Sequence, residues 1–314
     1  MKLAAALRGT LKSLYTQAVL DRKSQAFTNL EGLADYHFSL QPKRQHRPGI
    51  TAMLRVKNEA EMIEACVSSI ATVFDQIVIV DNGSDDETAA LVERLIRERG
   101  LHHVELYAYP HRIARLGDEH QHTSERSVHS LAYFYNWCLS RCTRQWVFKW
   151  DGDMVLPACR VGDFANMLQE CVRQPPACWV VPGKTVYFGL DGKVYSVLPE
   201  EVNGEDMLFP NLPWLYYRKD RHWETLQGDL FIPSRHLKPW YFWEVKDVRK
   251  DEFAHWSEDV DFSQVSKRKA REYHNYRLIK SGEFEPSQVE VIDFTLNTPR
   301  RLSGNGDRNE NATG

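Results

Sequence analysis

Apolar, β-branched runs alternate with helical stretches along the first half of the chain, and this alternation constrains the fold more than any other feature. Residues 50–56, 76–80 and 104–108 read as buried strands, and residues 145–150 as a fourth. Between the first two lies a helical stretch, residues 59–72, with Met62, Ile63, Cys66, Val67 and Ile70 on one face. A second helix runs to about Arg99, and a third spans residues 124–140. Residues 24–48 read as a polar connector and residues 110–123 as a long surface loop. Strand and helix at this spacing predict an α/β fold: a Rossmann-like, mostly parallel sheet with helices on both faces. Such sheets bind ligands beyond the carboxyl ends of their strands.

Two acidic clusters fall at that edge. The second strand ends in Asp81-Asn82-Gly83-Ser84-Asp85-Asp86, and the fourth in Asp151-Gly152-Asp153. A carboxylate at the end of the second strand can accept hydrogen bonds from a ribose hydroxyl or a base N–H. The same segment also reads as a turn with a helix cap. Asp151 and Asp153, separated by one small residue, can point two oxygens at one hard cation, Mn2+ or Mg2+, which then bridges to substrate phosphates. Gly152 lets the backbone turn tightly and leaves room for the ligand.

Taken together, Met53-Leu54-Arg55-Val56-Lys57-Asn58-Glu59, Val80-Asp81-Asn82-Gly83-Ser84-Asp85-Asp86-Glu87-Thr88 and Trp150-Asp151-Gly152-Asp153 resemble a family 2 glycosyltransferase of the GT-A fold. The resemblance covers roughly residues 50–160. It implies a nucleotide-sugar donor, with Arg55, Glu59, Asp81 and Asp151 in nucleotide binding and Asp151 and Asp153 on the metal. Asn136 stands where the family often has an Arg-Asn pair, with Tyr135 in place of the arginine. Related proteins often carry a further metal or phosphate ligand after a late strand, where this chain has Glu244. Lys246, two residues on, could balance the charge of a leaving diphosphate. An inverting transferase also needs a carboxylate to take the proton of the acceptor hydroxyl. Two segments compete for that role. Glu224, in Arg218-Lys219-Asp220-Arg221-His222-Trp223-Glu224-Thr225-Leu226, matches one branch of the family. Asp259, in Ser257-Glu258-Asp259-Val260-Asp261-Phe262, matches another and also reads as a helix cap. Glu224 is favoured because it follows Asp151 more closely in sequence.

Composition narrows the alternatives. Lys and Arg number 40 against 43 Asp and Glu, without the basic excess of a nucleic-acid binder. The six cysteines form no CxxC pair and read as reduced thiols of a cytoplasmic protein. In residues 1–23, Leu3, Leu7, Leu11 and Leu14 recur at helical spacing among Lys2, Arg8 and Lys12. This amphipathic helix would either contact an anionic membrane surface peripherally or dock on protein. The expected organisation is an N-terminal helix and connector (1–48), then a catalytic domain (49–300), then a disordered tail (301–314). The catalytic domain comprises a donor half (49–160) and an acceptor half (161–300). The acceptor expected is a glycan or lipid-linked hydroxyl, and the family resemblance suggests bacterial surface polysaccharide or lipopolysaccharide synthesis as the setting. A sugar nucleotidyltransferase is the alternative enzyme, but its Gly-rich loop is missing after the first strand. A non-catalytic nucleotide- or glycan-binding protein is the third reading.

Overall fold

A computed structural model describes residues 24–227, 232–258 and 260–294. The helix expected over residues 1–23, the competing base Asp259 and the tail lie outside the described residues.

The segment expected to be a plain connector is folded. Gln25–Phe27 (β1) pairs antiparallel with Phe38–Leu40 (β2), and the rings of Phe27 and Phe38 stack at 4.8 Å. Glu31 accepts hydrogen bonds from the Ser127 hydroxyl and, at 3.1 Å, from the Val128 N–H. Residues 124–130 are thereby held as turns, and the third helix starts later than its sequence suggests.

The centre of the molecule follows the strand–helix alternation. Arg47–Val56 (β3), Ile63–Ile70 (α1), Gln76–Asp81 (β4), Thr88–Arg99 (α2) and Val104–Ala108 (β5) come first. Asp118–His122 (α3), Leu131–Leu139 (α4), Arg144–Asp151 (β6) and Met154–Val155 (β7) follow. β6, β3, β4 and β5 lie side by side and run parallel. Every residue of β4 is buried, as a strand covered on both faces requires. α1 begins four residues later than its apolar pattern suggests. The N–H groups of Glu59 and Ala60 are taken by Thr88 Oγ1 (2.8 Å) and Asp86 Oδ2 (3.1 Å) from the loop after β4. Those bonds use donors that a helix would leave free in its first turn.

The remaining elements are Val161–Arg173 (α5), Cys178–Phe188 (β8), Val194–Val197 (β9), Val202–Pro210 (β10), Tyr216–Lys219 (β11), Glu224–Gln227 (β12), Ser234–His236 (β13), Phe242–Asp247 (β14), Phe262–Val265 (α6), Lys267–Ser281 (α7) and Val289–Ile292 (β15). β10 joins β6 antiparallel and β8 joins β10 antiparallel, extending the parallel centre into a mixed sheet. β14 runs parallel to β8 and antiparallel to β7, which follows Asp153 directly. This pairing brings the second half of the chain back to the strand-end edge. The stretch 110–123 is more than a solvated loop: His120 is buried and bonds the Asp220 carbonyl at 2.9 Å, and Leu116 bridges to Trp256.

Candidate functional site

The sheet register aligns the expected residues. β3 pairs Val56 with Asp81 of β4 and Arg55 with Asp151 of β6, so both acidic clusters leave the same edge beside the end of β3.

Asp81 is buried, and its carboxylate accepts the Ser84 N–H at 3.1 Å and the Ser84 hydroxyl. The turn reading of this segment therefore holds. A carboxylate still has lone pairs to offer beyond those two bonds. The turn is tied to β3 through Asn58, which has φ of 58°, a left-handed conformation that Asn tolerates. Asn58 N–H bonds Ser84 Oγ at 2.9 Å, and Asn58 Oδ1 accepts the Asp85 N–H at 3.0 Å.

Arg55 is buried beneath Asp151. It forms a salt bridge to Asp151 Oδ1 and lies over the Tyr135 ring, 3.9 Å from its centroid. Asp151 keeps its second oxygen, with its side chain 39% exposed. Asp153 gives one oxygen to Lys246 at 2.7 Å. Lys246 also contacts Glu244 at 2.8 Å, and the other Glu244 oxygen lies 3.6 Å from Arg268. Arg268 pairs with Glu205 at 2.7 Å, as does Lys149. A chain of alternating charge thus runs from Asp153 to Lys149 of β6, the strand that ends two residues before Asp153. Buried ions persist only when paired in this way. Lys246, which the sequence offers as a partner for diphosphate charge, pairs with Asp153 and Glu244.

The close approach of Asp151-Gly152-Asp153 to β3 requires glycine. A Cβ at Gly152 would stand 2.9 Å from Glu59 Cγ and 3.0 Å from Val56 Cγ1. Gly152→Ala should therefore cost about 1–3 kcal/mol, the usual range for overpacking. Urea unfolding measures it, and an unchanged midpoint would mean that Glu59 and Val56 yield freely.

Negative charge is in excess here. Burial, with Glu244 and Asp151 adding to it, raises the Asp153 carboxyl to about 6 against the pull of Lys246. Burial and Asp153 push Glu59 up to about 8, although Lys250 lies 3.5 Å away. Glu252, which no sequence signal marked, rises to about 7 through burial, with Asp153 adding to it. Glu244 behaves oppositely: Lys246 and Arg268 overcome its burial and hold it near about 2.

Such a donor set fits a hard divalent ion. Among the described residues, one oxygen each of Asp151 and Asp153 has no cation on it, and Mg2+-type sites use one or two carboxylates plus waters and substrate phosphates. Among the described residues no group of three or more His, Cys, Asp or Glu side chains converges to hold a metal. Glu244 has both oxygens engaged by cations, so the pair Asp151 and Asp153 carries the fit.

The excess charge has a measurable consequence. The Glu59 carboxyl stays protonated up to about pH 8 in the folded chain, but ionises near its ordinary value of 4.5 when unfolded. The native state then binds more protons across that window, so this group's contribution to stability falls as pH rises through it. In EDTA, Glu59→Gln should therefore melt about 2–5 °C higher than the parent at pH 8.5. At pH 4 the two should melt together. The same difference at both pH values would refute the burial account.

Glu224 joins the site from the other side. β11 and β12 form a hairpin, closed where Asp220 N–H bonds the Trp223 carbonyl at 2.7 Å, and Glu224 opens β12 opposite Lys219. Burial raises the pKa of its carboxyl, against the pull of Lys149 and Arg55 nearby. Asn136 is used structurally: its amide donates to the Tyr217 carbonyl (2.7 Å) and accepts the Tyr217 N–H (2.8 Å). Glu258 is 91% exposed, 3.8 Å from Arg115, and Asp261 caps α6 by accepting the Ser263 N–H.

No curated protein matches the chain. Similar solved structures include a mannosyltransferase from Pyrobaculum calidifontis in complex with GDP-Man and Mn2+ (20% identity, 59% of this chain and 44% of that one, TM-score 0.32). S. aureus TarS 1-349 is similar at 13% identity, over 73% of this chain and 71% of that one, with TM-score 0.36. Glucosyl-3-phosphoglycerate synthase from Mycobacterium tuberculosis, with Mn2+, UDP and phosphoglyceric acid, is similar at 19% identity (46% and 45%, TM-score 0.29). The chain spans less than half the length of the first and third of these. Residues 52–112, from β3 through the Asp81 turn to the loop after β5, match the model described as Glycosyl transferase family 2. Over residues 52–112 the chain is therefore similar to family 2 glycosyltransferases, a segment that holds β3, β4 and the Asp81 turn and against which Asp151 is paired.

Proposed function

We propose that the chain moves a sugar from a nucleotide-sugar donor to a hydroxyl of a glycan or lipid-linked acceptor, with inversion, using Mn2+ or Mg2+ at Asp151 and Asp153. The observation that carries this reading is the convergence of Asp81, Glu59, Asp151 and Asp153 on one sheet edge. When bound, the divalent ion would offset the charge of the departing diphosphate. Asp81 accepts hydrogen bonds from the nucleoside, and Glu59 borders the same pocket. Lys246, fixed between Asp153 and Glu244, supplies positive charge where the diphosphate leaves. Glu224 takes the proton of the attacking hydroxyl, and its raised pKa brings its basicity nearer to neutral pH. The surface-polysaccharide acceptor suggested by the family resemblance fits this chemistry, as any sugar hydroxyl would.

A panel of sugar nucleotides, assayed with Mn2+ for the released product, tests the reading. Transfer releases nucleoside diphosphate, whereas a nucleotidyltransferase turns over pyrophosphate and a binding protein releases neither. Pyrophosphate turnover, or no turnover with any donor that binds, would overturn the proposal.

A further inference from the structure

Two consecutive cations in the turn after β14 reach the chain where it leaves β3. Arg249 holds both Asp247 oxygens, at 2.9 and 2.7 Å, and lies 3.3 Å from Glu61. Lys250 donates to the Asn58 carbonyl at 2.8 Å and lies 3.5 Å from the Glu59 carboxylate. Its own carbonyl accepts the Tyr276 hydroxyl of α7 at 2.6 Å, and that hydroxyl accepts from Lys280 at 2.9 Å. Lys250 is therefore fixed on one side by a helix and on the other by backbone beside the candidate site.

The contact ends at the turn that carries Asp81. Asn58 N–H donates to Ser84 Oγ at 2.9 Å, and the Ser84 hydroxyl donates to the Asp81 carboxylate. Asn58 Oδ1 accepts the Asp85 N–H at 3.0 Å. The peptide joining Asn58 to Glu59 is held at both ends, its carbonyl by Lys250 and its N–H by Thr88 Oγ1 at 2.8 Å. A continuous series of contacts thus leads from α7 through Lys250, Asn58 and Ser84 to Asp81. Asn58, with φ of 58°, has a sparsely populated backbone that persists only where its surroundings fix it. An exposed ion pair would do little here, whereas an ammonium on a backbone carbonyl makes a strong, directed bond.

We infer that Lys250 is a positioning residue for the donor: by holding the Asn58 carbonyl it sets the turn where Asp81 meets the nucleoside. This rests on the reading of Asp81 as a nucleoside contact. Lys250 acts through Asp81 and makes no contact of its own with the nucleotide.

Lys250→Met keeps the aliphatic stem and loses the ammonium, while Lys250→Arg restores a charged donor. Calorimetry with UDP and with GDP, in EDTA, compares both with the parent, with Asp81→Ala and with the double variant of Lys250→Met and Asp81→Ala. Lys250→Met should weaken affinity about tenfold, the effect of one hydrogen bond from a charged group. Lys250→Arg should recover most of that loss. In the Asp81→Ala background, Lys250→Met should cost nothing further, an outcome that a general loosening of the fold does not produce. Hydrogen exchange at the Asp85 amide, read in the nucleotide-free protein, should quicken in Lys250→Met, because Asn58 Oδ1 is less firmly placed. Should Lys250→Met fail to fold, Tyr276→Phe frees the Lys250 carbonyl and should shift affinity and exchange in the same direction. Parent-level affinity and exchange in Lys250→Met would overturn the inference, as would losses that simply add in the double variant. Quickened Asp85 exchange beside parent-like affinity of Asp81→Ala would instead uphold the Lys250 contact and remove Asp81 from the nucleoside site.

Discussion

Asp153→Asn and Asp151→Asn should each lower the rate of transfer by about 10²–10³ or more, while melting close to the parent. The rate effect follows from losing an anionic ligand at the point where diphosphate charge must be offset. The fold should survive because neither change strands a buried cation. The amide oxygen that Asp153→Asn introduces can still accept from Lys246, which keeps Glu244 at 2.8 Å. Arg55 likewise keeps its contact with the Tyr135 face when Asp151 becomes an amide. Asn is also close to Asp in volume, so Gly152 can maintain its approach to Glu59 and Val56. Initial rates across a Mn2+ titration, paired with melting curves, make the test. Parent-like activity of either variant in EDTA would remove the metal from this pair.

The parts of the site legible in the sequence were those written locally. β4 announces itself because its unbroken apolar, β-branched run can only be a strand covered on both faces, and Asp81 follows at once. Asp151-Gly152-Asp153 was legible for the same reason. Its glycine is explained only by the fold, since the atoms it avoids belong to Glu59 and Val56, far away in sequence. The missed residues owe their roles to such distant pairings. Glu205 meets Lys149 and Arg268 across the mixed part of the sheet, and Glu252 enters the acidic cluster from the loop after β14. One signal for this network was present: Lys149 sits inside an otherwise apolar strand, where a charge must find a buried partner. Residues 24–48 were misread because their aromatic side chains follow no period, and their packing depends on α4. The start of α7 is marked by its cap, Ser266, which accepts the Lys269 N–H. Its docking face is not legible, since Glu272 and Asn275 are buried there beside Tyr276 and Ile279.

Glu224→Gln tests the assignment on which the chemistry turns. The amide keeps the size and shape of the side chain, so the hairpin of β11 and β12 should hold its place. It cannot take a proton near neutral pH. The residues proposed to bind the donor, Asp81, Glu59, Asp151 and Asp153, are untouched by this change, so nucleoside diphosphate affinity should stay within about twofold of the parent, well under the ~1.4 kcal/mol of a tenfold change. Meanwhile kcat should fall by about 10²–10⁴, the usual share of a general base. The acidic limb of the pH–rate profile should vanish with it, because that limb reports the ionisation of the base. If Glu224 merely oriented the acceptor, the limb would survive and the loss would appear mainly in the acceptor KM. Asp259→Asn is the control. In its segment the cap of α6 falls on Asp261, so the change should leave kcat nearly untouched. A dead Asp259→Asn beside an active Glu224→Gln would transfer the proton to the Glu258-Asp259 segment.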